Sequence, residues 1–250
     1  MPSLGWSWSR SCSIDNFIMT NYILQIDTAT EVCSVSVSVD GKTIGKLDAV
    51  EPNVHASQLT LNIDKLLASL ELTYQDLRAV AVSMGPGSYT GLRIGVSTAK
   101  GLCYALDIPL LGINTLESIY YGYTQNIDIV ANAFYIPMLD ARRMEVYMSI
   151  YNANSDLLKP TEAIVVDQST FENLQSDKII LFGSGASKLK DLFEGNETIV
   201  IDSEYKHSSS YLSHTAHKKF LNQEFEDLIY FEPYYLKEFI ATMPKKIVLG

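Results

Sequence analysis

A chain of 250 residues, 47% of them hydrophobic, can build one large domain or two small ones around an ample core. Its net charge of −10 argues against unaided nucleic-acid binding, because the only paired lysines are Lys188/Lys190, Lys218/Lys219 and Lys245/Lys246. No stretch approaches the roughly 20 apolar residues of a membrane span, and three scattered cysteines (Cys12, Cys33, Cys103) suggest neither a disulfide framework nor a zinc knuckle and fit a reducing cytoplasm.

Residues 1–18 lack both a signal-peptide core and any periodicity, and read as a disordered extension ahead of a start at Met19. YILQID (22–27) is a short β-forming run. CSVSVSVDGK alternates with period two, placing Val35, Val37 and Val39 on one face, and Asp40-Gly41 predicts a hairpin turn. Leu59, Ile63, Leu66 and Leu70 recur at helical spacing. LRAVAVSMG (77–85) reads as a buried strand ending in Gly-Pro-Gly, followed by a helix over 88–106 that Pro109 closes and a strand LLGIN at 110–114.

The second half begins like the first. YIPMLDARRMEVYMSIYN overlays YILQIDTATEVCSVSVSV without a gap, setting Asp140 on Asp27 and Val146, Met148 and Ile150 on Cys33, Val35 and Val37. A helix after Asp167 with Ser169 and Glu172 as a capping box, a strand at 178–183, a helix from Ser187 and another near 209–223 complete the pattern. Strands alternating with helices, each half led by a hairpin, predict mixed α/β sheets. Two such halves facing a cleft form the actin-like architecture, with an N-terminal subdomain at 19–123 and a C-terminal one at 124–250.

MGPGSYTGLRIGVSTAKGLCYAL (84–106) has the glycine content of a phosphate loop but not its spacing. Gly91 is followed by Leu92-Arg93 and not by the Lys-Ser/Thr of a P-loop, and the dinucleotide spacing is one residue too long. Ser88 is a natural N-cap. Leu92, Val96, Cys103 and Leu106 make one apolar stripe, while Gly91, Gly95 and Ala99 (or Thr98) make a second line of small residues. Helix glycines cost roughly 1 kcal/mol each relative to alanine, so this line predicts an outward face that lets another helix come close.

Other polar groups invite functional readings. Leu212, Ala216 and Phe220 form a core stripe that turns His214 and His217 toward solvent, so with His207 they do not read as a metal cluster. Arg142 and Arg143 read as solvating a turn, and the tyrosines, Tyr120, Tyr121, Tyr123, Tyr234 and Tyr235 among them, as half-buried packing.

LQIDTAT, VSMGPGSYTGLRIGVSTAKGL and the EPYYLKEF tail closely resemble the TsaB/YeaZ family, over roughly residues 20–240. That family supplies the dimerisation subunit of the bacterial machinery for threonylcarbamoyladenosine on tRNA, and is similar to its catalytic partner TsaD. The resemblance implies a non-catalytic subunit that docks a TsaD-type chain through His55, Gly91, Leu92, Arg93, Gly95, Thr98, Ala99 and Leu102. It also implies a TsaE-type ATPase at the junction, self-pairing through the same surface, and access to tRNA only through the complex. Where TsaD carries two metal-binding histidines, this chain has Thr115 and Ile119; the Asp-x-Gly-Thr phosphate turn of actin-like ATPases has become Asp27-Thr28-Ala29-Thr30. ATP and metal are accordingly expected on partner subunits, with no cofactor on this chain alone. His55 matches a histidine that TsaB and TsaD chains tend to carry; read locally, it is a hydrogen-bonded helix-start residue. The rival readings are an actin-fold enzyme, either the transferase or a metal-dependent glycoprotease, which need the absent His pair, or a small-metabolite kinase resting on Asp140.

Overall fold

The computed structural model describes residues 20–50 and 55–237, with the backbone alone at 55–57. The leader 1–18 lies outside the described residues. β1 (Tyr22–Asp27), β2 (Cys33–Val39) and β3 (Lys42–Ala49) form an antiparallel meander. The chain continues through α1 (His55–Ser69), β4 (Leu77–Gly85), α2 (Tyr89–Leu106) and β5 (Leu110–Asn114). The sheet order is β3-β2-β1-β4-β5, with β1, β4 and β5 parallel.

α3 (Thr115–Thr124) starts directly after β5, capped by Asn114, whose Oδ1 accepts from the amides of Leu116 and Glu117. The second sheet is built from β6 (Ala133–Asp140), β7 (Glu145–Asn152), β8 (Leu157–Val165), β9 (Lys178–Phe182) and β10 (Ile199–Asp202), in the order β8-β7-β6-β9-β10. Both sheets thus carry one topology, the duplicated mixed α/β plan of the actin-like fold. The last helix among the described residues is α4 (Ser213–Leu221).

The overlay of the two halves holds through the aspartates and then slips. Asp27 pairs with Ser34 while Asp140 pairs with Val146, so the second turn is one residue shorter and Val146 takes the pairing position of Ser34, not Cys33. No α-helix follows Asp167: Asp167 Oδ1 ties up the amide and hydroxyl of Ser169 and the hydroxyl of Thr170, and 168–173 stay as turns. The helix expected from Ser187 is two single 3-10 turns, Ser187–Leu189 and Asp191–Phe193.

α1 and α2 cover one face of the first sheet, burying Leu59, Ile63, Leu66, Val96 and Cys103 against Leu24, Ile26, Val35, Val37, Val80 and Val82. The boundary at 123/124 separates the sheets but not the packing. α3 buries Leu116, Ile119 and Tyr120 on the second sheet with Tyr135, Leu139 and Tyr151. In return, Leu212 and Ala216 pack on Ile23, Ala79, Ala81, Leu111 and Ile113 of the first sheet, and Phe231 joins its other face.

This return explains a feature that alternation alone would assign to solvent. Ser34, Ser36 and Ser38 of β2 are fully buried. Their hydroxyls are satisfied by buried Gln25, whose Nε2 donates to Ser38 Oγ at 2.6 Å and whose Oε1 accepts from Ser36 Oγ at 3.0 Å, and by Ser209, whose amide donates to Ser34 Oγ at 2.7 Å.

Candidate functional site

The β1–β2 turn, where an actin-like ATPase would hold phosphate, is closed by the chain itself. Asp27 Oδ1 accepts the amide of Ala29 at 2.9 Å, and Asp27 Oδ2 lies 2.8 Å from His207 Nε2. The other ring nitrogen of His207 is 3.0 Å from the hydroxyl of Tyr205. Burial opposes a charge on His207, but Asp27 beside it, with Asp48 and Glu31 adding to the field, lifts its pKa above the ordinary histidine value.

α2 seals the other side. Thr28 Oγ1 donates to the Gly91 carbonyl at 2.7 Å, and the amide of Ser88 donates to the Ala29 carbonyl at 2.7 Å. A Cβ at Gly91 would overlap the Thr28 carbonyl oxygen, and one at Gly95 would overlap Thr28 Oγ1. Asp27, Thr28, Ala29 and Thr30 are all buried. These groups do not fit a metal–nucleotide: the carboxylate, the hydroxyl and the carbonyl that would meet it are already engaged within the chain.

Asp140 repeats this arrangement in the second half. Its Oδ1 accepts the amide of Arg142 at 3.0 Å, as Asp27 accepts that of Ala29, and it is paired with Lys188. Arg142 and Arg143 are exposed, both with left-handed backbone. Thr115 and Ile119 are fully buried, Thr115 hydrogen-bonded to Ser83 Oγ at 2.8 Å and Ile119 inside the aromatic core. Among the described residues no group of three His, Cys, Asp or Glu is placed to hold a metal ion. His214 is exposed and His217 packs against Gly41.

The small-residue line of α2 therefore faces inward, contrary to its expected outward aspect. Gly91, Leu92, Gly95 and Ala99 are buried against the chain's own β1 turn and core, while Thr98 and Leu102 are half-buried. The reason is that the close approach the glycines permit is used by Thr28. Of the expected docking residues on α2 only Arg93 is fully on the outside, and it shares an exposed line with Ser97, Gly101 and Tyr104. A Cβ at Gly101 would meet nothing within 4 Å. Beside α2, α1 exposes Thr60, Leu61, Asp64, Lys65 and Ala68. His55 opens α1, and its side chain lies outside the described residues.

Sequence reasoning missed His207 and Lys188, because nothing local marks a basic group whose partner lies 180 or 48 residues away. It also missed Gly101, since a glycine outside the four-residue rhythm looks incidental.

A family model described as TsaD, tRNA N6-adenosine threonylcarbamoyltransferase, matches residues 50–247. The tRNA threonylcarbamoyladenosine biosynthesis protein TsaB of Escherichia coli is 30% identical over 187 residues, 73% of this chain and 79% of that protein. Its namesake in Bacillus subtilis is 31% identical over 179 residues, 69% and 75% of the two chains. The solved structure of YeaZ from Pseudomonas aeruginosa has a TM-score of 0.72 at 22% identity, covering 86% of this chain and 100% of that one, a likeness of fold. With a family model spanning well over half its length and these TsaB relatives, the chain belongs to the TsaB/YeaZ family.

Proposed function

We propose that this chain takes part in tRNA threonylcarbamoyladenosine biosynthesis as a non-catalytic subunit, docking a TsaD-type catalytic subunit on the outer faces of α1 and α2. Family membership supports the pathway. One observation carries the division of labour: in the degenerate phosphate turn the Asp27 carboxylate, the Thr28 hydroxyl and the Ala29 amide and carbonyl are bonded inside the chain, while the adjoining helix leaves the line Arg93, Ser97, Gly101 open. A TsaE-type ATPase would meet the pair at their junction, with ATP, metal and tRNA held by the assembly and its partners. A twofold pair of this chain would use the same surface on both copies, the isologous arrangement of a homodimer. Free, buried Cys33 and Cys103 suit a cytoplasmic setting, and among the described residues no helix is long and apolar enough to cross a membrane.

Gly101→Arg is the test. The site is open, so the variant keeps its circular dichroism and melting temperature. It should lose co-elution with the cognate TsaD-type subunit and fail to support tRNA modification. Retention of both activities by a folded Gly101→Arg chain overturns the docking face.

A further inference from the structure

The segment before residue 238 reaches the proposed docking helix through a tyrosine ring tilted against another. Lys100 of α2 donates to the carbonyls of Ile229 at 3.2 Å and Phe231 at 2.8 Å. The chain then passes the β4–α2 turn, where the amide of Tyr234 donates to the Met84 carbonyl at 2.7 Å. A Cβ on Gly85, which has φ +123, would strike the Tyr234 carbonyl, so this passage leaves no spare room. The ring of Tyr235 lies 4.7 Å from that of Tyr89, the first residue of α2. Lys237 pairs with Glu145 at the start of β7, anchoring the segment to the second sheet as well.

Tyr89 in turn holds Arg93. The guanidinium sits 5.3 Å from the Tyr89 ring centroid, and Nη1 donates to the Tyr89 hydroxyl at 3.2 Å. A free arginine side chain samples many rotamers and forfeits them on binding; one already laid on a ring and hydrogen-bonded forfeits fewer, which favours association. Tyr235 packs on that ring, and without it Tyr89 has a neighbour fewer to fix its orientation.

We propose that Tyr235 is a positioning residue: through Tyr89 it holds Arg93 in the pose, laid on that ring, in which Arg93 receives a carboxylate of the docked partner. The inference rests on the docking reading above and deepens it, since it makes the tail, tied to both sheets, part of the docking surface.

The test uses the full chain carrying Tyr235→Ala, Tyr235→Phe or Tyr89→Phe. In the free chain, the Arg93 Nε–H heteronuclear NOE reports side-chain order, and the amides of Ile94 and Val96 report that α2 is intact. Tyr235→Ala should loosen Arg93 with those amides unchanged, whereas Tyr235→Phe, which keeps the ring, should behave as wild type. Tyr89→Phe removes only the hydroxyl that accepts from Arg93, and should loosen it with the tail undisturbed. Calorimetry with the TsaD-type subunit should show Tyr235→Ala weakening affinity roughly two- to tenfold, the span of a lost aromatic contact. That loss should disappear in an Arg93→Ala background. An Arg93 that stays ordered in Tyr235→Ala, or a loss that persists in full without Arg93, overturns the inference. Weakening by Arg93→Ala but none by Tyr235→Ala overturns it alone; no effect of Arg93→Ala or of Gly101→Arg removes the docking face beneath it.

Discussion

Asp27 and His207 stand 180 residues apart in sequence and 2.8 Å apart in space, with 0% and 5% of their side chains exposed. The pair ties the segment after β10 to the end of β1, so it couples the return of the chain to the first sheet with the closing of the phosphate turn. Removing one partner of such a buried pair strands the other charge, at a cost of about 3–5 kcal/mol. His207→Ala should lose this much stability by urea denaturation at pH 5.5. Because the folded pKa of His207 lies above its unfolded value of about 6.5, the contribution of the charged pair is complete below that value and fades as pH rises through the folded one. The gap between wild type and His207→Ala should narrow between pH 5.5 and 9. A gap that widens with pH would show that the histidine is held neutral.

Three glycines in one helix should respond with opposite signs. At Gly91 and Gly95 an added methyl meets Thr28, whose carbonyl is backbone and whose hydroxyl is committed to the Gly91 carbonyl, so neither can yield freely. Overpacking costs roughly 1–3 kcal/mol, of which better helix propensity returns about 1. Gly91→Ala should therefore lower the melting temperature, with Gly95→Ala in the same direction. Gly101→Ala meets nothing and should raise stability by up to about 1 kcal/mol. Differential scanning calorimetry of the three variants decides it; a stabilised Gly91→Ala would refute the sealed turn.

The contrast between these glycines shows where the sequence stops being legible. Period-two and helical spacing located β1, β2, α1, β4, α2 and β5, because a strand or helix must put its apolar residues on one side wherever it packs. The same periodicity named Gly91 and Gly95 as a close-contact line, yet could not say which neighbour makes the contact, since a partner's helix and the chain's own Thr28 ask the same of a glycine. The burial of the β2 serines was not legible for a related reason. A polar alternate face normally means water, and here it meets Gln25 and Ser209. The short turns after Asp167 were misread because a capping residue satisfies a helix or replaces one with equal ease.

The two described cysteines should be chemically silent in the folded chain. Burial pushes the thiol of Cys33 up to about 11 and that of Cys103 up to about 12. Thiolate is the reactive form, and both are buried. Mass-spectrometric mapping after iodoacetamide treatment at pH 8 should find Cys33 and Cys103 unmodified in native protein and alkylated in urea. Modification of either on the native timescale would mean that the sheet-and-helix core opens locally at that residue.

The tail should behave as core of the first subdomain despite its place near the end of the chain. Phe231 is 9% exposed and packs in the cluster beneath α2, while the amide of Glu226 donates to the Leu110 carbonyl at 2.9 Å and so covers the free edge of β5. A Cβ on Gly112 would come within 2.8 Å of the Phe231 ring. Truncating that ring by Phe231→Ala should cost about 3–5 kcal/mol through lost burial and the cavity left behind. Gly112→Ala should cost stability as well, because the methyl must push the ring outward. The double variant is the informative one, since without the ring the methyl at 112 meets only the carboxylate end of Glu226, whose Oε1 also lies 2.8 Å from the added Cβ and can swing aside. Its cost should fall short of the sum of the single costs by 0.5 kcal/mol or more, read from urea transitions of all four chains. Additive costs would mean that Phe231 and β5 do not share one packed site, and that the tail is only laid against the sheet.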